Sequence, residues 1–186
     1  MSAKIESLPR YVPDAPWPLY AFVPGRGLPH PISDPDGHSF GSTPAVEAFD
    51  PARWPESRAY LRGVDLFNYG YYWEAHEVWE GIWRGYDRSQ TPALFLQGLI
   101  KLAAAGVKTR EGVVQGVTRL AADAAAHFRE IHNRPDGGNE YCGLRADALE
   151  SLARGVEREA CVLRNERDRG PRVVFSFALR PGESAT

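Results

Sequence analysis

The segment Phe67–Trp83, FNYGYYWEAHEVWEGIW, sets one histidine and three carboxylates among tyrosines and tryptophans. On a helix, His76 and Glu80 stand one turn apart on one face with Tyr72, Trp79 and Trp83 beside them, while Glu74 and Glu77 point elsewhere. HEVWE at 76–80 invites comparison with the HExxH zinc motif, in which ligands one turn apart hold the metal and the glutamate between them acts as base. Here the second ligand is Glu80, so a divalent metal on His76 and Glu80 needs further donors, and His30 and His38 in HPISDPDGH supply them if that segment folds over the helix. The metal-free alternative uses His76 with Glu77 or Glu80 in acid/base chemistry, since imidazole titrates near neutral pH and a carboxylate fixes its tautomer. The plainest alternative is a His76–Glu80 hydrogen bond inside an aromatic layer. The candidate catalytic residues are therefore His76, Glu77 and Glu80. Asn68, Tyr72, Trp83, Gln97, His30 and His38 are candidate ligand contacts.

No serine or cysteine carries a covalent-catalysis signature. Ser39 in GHSFG echoes a nucleophile elbow, but an elbow needs a strand before it and a helix after it, and HPISDPDGHSFGSTP offers neither. Gly25 and Gly27 in VPGRG lack the flanking elements of a phosphate loop and read as turn residues. His127 and His132 fall at the end of a helical stretch, where a cation suits the helix dipole. Lys101, Lys108, Arg110 and Arg119 form a modest solvated basic edge.

These residues need a scaffold. With 186 residues and 43% hydrophobic content the chain can build one domain with a sizeable core. Its 22 basic and 24 acidic residues give a net charge of -2, which speaks against nucleic acid and anionic membranes and for a small molecule or self-association. Cys142 and Cys161, nineteen positions apart, are neither a metal pair nor a disulfide framework. Reduced thiols, no signal-peptide core and no apolar run of roughly 18 residues predict a soluble cytoplasmic protein.

Residues 1–50 hold nine of the fifteen prolines, Pro44 being the last, and predict an extended arm. Tyr11, Trp17, Leu19, Tyr20, Phe22 and Val23 argue that this arm lies on the body rather than in water. A helical bundle follows over 51–168. Asp50 caps its start, and the stripe Leu61, Val64, Leu66, Phe67 stops near Gly70. A second helix runs from about Tyr71 to near Gly85. Thr91-Pro92 opens a third, with Ala103–Ala105 permitting close approach, and a turn at Glu111–Gly112 leads to a fourth that ends about Ile131. After the loop 133–139, Leu149, Leu152, Val156, Ala160 and Leu163 mark a peripheral fifth helix. The tail 169–186 contains RVVFSFAL at 172–179, read as a short strand pairing with 19–23. The predicted class is all-α: about five helices, a proline-rich arm and a short terminal β pair.

Phe67, Asn68, Tyr72, Glu74, Ala75, His76, Glu77, Glu80 and Trp83, followed by Leu96, Gln97, Gly98, Leu99, Ile100, Leu102, Ala103 and Ala104, resemble the family known as domain of unknown function 309. The match spans about residues 55–130, and two linked motifs in order make it specific. The resemblance implies a compact prokaryotic helical bundle with no assigned activity. Where that pattern frequently has histidine this chain has Lys108, and Lys101 stands where glutamine is frequent, which weakens any metal site that needs the second histidine. Because no complete catalytic constellation can be read, a binding or interaction module with a His/Glu-centred pocket is expected ahead of an enzyme.

Overall fold

The computed structural model of the chain describes residues 8–42, 49–162 and 170–183. Pro44, Leu163 and the expected boundary at 168/169 lie outside them. Asp50 accepts the Ala52 amide at 2.9 Å and opens a 3-10 helix, Pro51–Glu56, rather than an α-helix. Ser57 then restarts the chain: its hydroxyl oxygen accepts the Tyr60 amide at 3.1 Å and caps α1 (Arg58–Asn68). The expected first helix is thus two elements, because Pro55 and the capping serine interrupt it.

α2 (Tyr72–Trp83) buries Tyr72, Trp73, Ala75, Trp79 and Ile82. α3 (Thr91–Glu111) has proline in its first turn and ends on Gly112, and it is apolar on most of its circumference, as a helix at the centre of a bundle must be. α4 (Val114–Asn133) buries Val117, Ala121, Ala124, Ala125, Phe128 and Ile131, a helical stripe that faces α3 and the next helix. α5 (Ala146–Glu159) buries Leu149, Ala153 and Val156 and packs on α4. Each helix packs chiefly on its neighbour in sequence. The core between them contains Trp79, Phe67, Phe95, Phe128, Leu96, Leu99 and Leu102, all essentially inaccessible to water.

The one β pair among the described residues is not terminal. β1 (Glu140–Tyr141) and β2 (Leu144–Arg145) form a minimal antiparallel hairpin just before α5, with Glu140 opposite Arg145 and Tyr141 opposite Leu144. Its turn residues, Cys142 and Gly143, both have positive φ, as a two-residue hairpin requires. The segment 170–183, expected to contain a strand, is instead irregular. Asn68 donates to the Leu179 carbonyl at 2.8 Å and accepts the Leu179 amide at 2.7 Å, and the Tyr72 hydroxyl accepts the Val174 amide at 3.1 Å. Side chains of α1 and α2 thereby satisfy backbone groups that a ladder would have used. Phe175 completes the contact by stacking on Phe67, ring centroids 5.8 Å apart.

The arm is held in the same way. Both oxygens of the buried Asp65 on α1 accept backbone amides, from Tyr11 and Val12, each at 2.8 Å. Trp17 stacks on Tyr71 at 5.3 Å, and Ala21, Phe22 and Val23 are buried. Leu19, expected to be sheltered, is 88% exposed. Arg110 departs from the expected basic edge in the other direction: it is buried, and its guanidinium donates to the Gly170 carbonyl at 3.1 Å. No helix of the described residues is long and apolar enough to cross a membrane.

Candidate functional site

The pairing expected on α2 does not form. His76 turns to Glu77, Nε2 to Oε1 3.3 Å, and its Nδ1 is hydrogen-bonded to the Trp73 carbonyl. Both ring nitrogens are therefore engaged by neighbours on the same helix. Glu80 accepts from Arg84 one turn on, at 2.9 Å, so the exposed guanidinium takes the carboxylate that the helical wheel assigned to His76. Asn68 and Tyr72 are buried and occupied by the tail. Burial raises the Tyr72 hydroxyl to about 12. Trp83 lies half-buried with Arg88 over its ring at 5.4 Å, and Gln97 is half-buried on α3. Among the described residues no group of three or more His, Cys, Asp or Glu side chains is arranged to hold a metal ion.

The polar group that does gather lies one helical face away, at Glu74. This residue is 5% exposed, and its Oε1 accepts the Phe22 amide at 2.8 Å. His38 approaches the same oxygen, Nε2 to Oε1 3.3 Å, and its Nδ1 is 2.9 Å from the Ser39 hydroxyl. The His38 ring leans on Tyr20, centroids 4.5 Å apart, and the Tyr20 hydroxyl donates to the Pro29 carbonyl at 2.8 Å. Glu74 Oε2 is buried without a hydrogen-bond partner. A carboxylate oxygen in that state costs a large part of its solvation, about 1–3 kcal/mol or more for a charged group.

His38, Ser39 and Glu74 line a cleft of about 410 Å³ between the arm and the outer faces of α1 and α2. Trp17, Leu19, Ile32, Leu66, Trp73 and Val78 supply apolar wall, and Glu77, Ser42 and Arg62 add polar groups. Arg62 reaches the Pro16 carbonyl with one nitrogen, keeps Nη1 buried without a partner, and sits 5.0 Å over the Trp17 ring. His30 is outside the lining; its Nδ1 accepts the Ile32 and Ser33 amides, and its ring edges against Phe22 and Trp73. Of the expected site residues, the cleft thus brings together His38 and Glu77 only. Glu74 was passed over. It stands inside the EAHE motif, but nothing local announces that a chain segment some fifty positions earlier covers its face.

Fold and site together describe an all-helical bundle whose proline-rich arm roofs a polar-floored cleft. Residues 60–120 match the model of the family described as domain of unknown function (DUF309), in agreement with the resemblance carried by the two motifs. The matched segment holds most of α1, all of α2 and α3 and the start of α4, and leaves out the arm that contributes His38 and Ser39. No curated protein matches the chain.

Proposed function

We propose that this protein is a small-molecule binding module whose site is the cleft between the arm and α2, and that its ligand has an apolar or aromatic body with one hydrogen-bond-donating group. A single observation carries this reading: Glu74 Oε2, a buried carboxylate oxygen with no partner, belongs to a residue lining an otherwise largely apolar cleft. That oxygen is shut off from solvent in the unliganded cleft, so a ligand donor satisfies it by displacing the groups that cover it, while Trp17 and Trp73 supply aromatic contact. Acid/base chemistry centred on His76 has less support, because its ring is already committed to Trp73 and Glu77.

The test uses the tryptophans in the wall. Phenethylamine and 2-phenylethanol, which carry a donor, are expected to change the intrinsic fluorescence saturably, and 3-phenylpropionate, an anion, to do so far more weakly. Val78→Trp fills the cleft and is expected to abolish the response. The absence of saturable binding by both donor probes overturns the reading.

A further inference from the structure

We infer that Ser39, His38 and Glu74 form a nucleophilic relay, and that the cleft cleaves small esters of apolar carboxylic acids through an acyl-serine on Ser39. The inference rests on the cleft being a small-molecule site, and not on the ligand carrying a hydrogen-bond donor. Three side chains from distant parts of the chain, two on the arm and one on α2, lie in hydrogen-bonding sequence: Ser39 Oγ to His38 Nδ1 at 2.9 Å, and His38 Nε2 to Glu74 Oε1 at 3.3 Å.

The directions of these bonds follow from chemistry. An ionised carboxylate only accepts, so the hydrogen resides on His38 Nε2, and Nδ1 presents its lone pair to the Ser39 hydroxyl, which donates. That is the polarity a general base needs in order to activate an alcohol. The two ring nitrogens exchange the roles they have in the chymotrypsin-type arrangement. Adjacency imposes this exchange, because Nδ1 is the nitrogen nearer the backbone and the one that meets the next residue's side chain.

The parts are also held in place. The Phe22 amide fixes Glu74 Oε1, while Tyr20 supports the His38 ring and its hydroxyl lies 3.3 Å from the His38 amide nitrogen as acceptor. The His38 side chain is 8% exposed and that of Glu74 5%, so water does not compete strongly for the bond between them. No nucleophile elbow is involved: the serine sits on a turn, and its neighbours are brought to it by tertiary packing.

In the reaction, Ser39 Oγ bonds to the ester carbonyl carbon as its proton passes to His38 Nδ1, and the carbonyl π pair moves onto oxygen. Arg62 and Ser42 line the same cleft, and their charge and hydroxyl suit that negative oxygen. Collapse expels the alcohol oxygen, which takes the proton from His38 Nδ1. Water then attacks the acyl carbon, giving up a proton to His38; the acid departs and Ser39 recovers its hydrogen. The apolar walls select the acyl group, and Glu74 and Glu77 disfavour anionic substrates. Glu74 acts through His38 and is a positioning residue.

The experiment incubates the full chain with p-nitrophenyl butyrate, follows p-nitrophenolate release, and locates the butyryl adduct by intact-mass and peptide analysis. The same samples are titrated with phenethylamine. An adduct on Ser39 is expected, absent in Ser39→Ala and formed about 10²–10⁴-fold more slowly in His38→Gln. Far-UV circular dichroism and the urea midpoint report that both variants are folded. Glu74→Gln is expected to slow acylation while leaving the ester concentration at half-saturation little changed. Phenethylamine binding without an adduct overturns the relay and leaves the binding reading standing. Loss of both overturns both. An adduct that persists in Ser39→Ala, or an undiminished rate in His38→Gln, also overturns the relay.

Discussion

Asp65 and Glu74 are two buried carboxylates that clamp the arm, and they differ by one oxygen. Asp65 spends both oxygens on backbone amides, whereas Glu74 spends one and leaves the other without a partner. Different effects of substitution follow. Asp65→Ala removes two charge-assisted bonds and strips the partner from one buried and one half-buried amide, so a loss of about 2–4 kcal/mol is expected in urea denaturation, with faster proteolysis within residues 8–42. Glu74→Gln keeps an acceptor for the Phe22 amide, so its stability is expected to change by less than about 1 kcal/mol. The affinity for phenethylamine is expected to fall about tenfold or more in isothermal titration, since the neutral amide replaces a charged acceptor. At this scale the motif EAHE announced polar chemistry but not its direction. A helical wheel fixes which side chains share a face; it does not say which face another segment will cover, and that choice moved the polar cluster from His76 and Glu80 to Glu74.

The helices are placed by close approach as much as by apolar pattern. A Cβ on Gly106 of α3 would meet the Tyr72 ring at 2.6 Å, so this glycine is what lets α2 and α3 seat the tyrosine between them. In an exposed helix Gly→Ala is stabilising by up to about 1 kcal/mol, but overpacking costs about 1–3 kcal/mol, and Gly106→Ala is expected to lower the denaturation midpoint. Asn68 plays the corresponding part for the tail. Asn68→Ala strips both partners from Leu179 and is expected to cost about 1–3 kcal/mol, with hydrogen exchange rising across 170–183 rather than in α3 or α4. Helices α2 to α5 and the extended arm were legible from apolar period, proline and capping residues. The hairpin at 140–145 was not, since two residues per strand carry no period, and the tail was misread as a strand because its β-branched and aromatic residues pack on α1 without a ladder.

Across the whole molecule, the pH dependence of stability reflects what burial does to titrating groups. His127, placed by its sequence position at a helix end that favours a cation, lies within α4 and is pushed below its ordinary range chiefly by burial, with Lys101 adding to the effect and the Asp123 backbone, Glu130 and Asp123 opposing it. The unfolded chain therefore binds this proton more readily, and stability is expected to fall as pH drops below about 6.5. Tyr72 is raised to about 12 by burial, and Tyr60 is also raised, so their contribution is present below about pH 10 and lost as pH climbs toward 12. A plateau in thermal midpoint between about pH 7 and 10 is the expected outcome, and His127→Gln is expected to flatten its acid edge.

The all-helical class, the element order and the resemblance over the central helices were readable from the chain, because helical period, caps and prolines are local and each residue carries them wherever it ends up. The cleft was decided by packing. It needs Glu74 from α2, His38 and Ser39 from the arm, and Asp65 and Tyr71 to hold that arm down. Contacts across fifty or so positions depend on which of several polar faces loses its water. Only the folded chain makes that choice, by burying one carboxylate under the arm and leaving its neighbours to pair along their own helix.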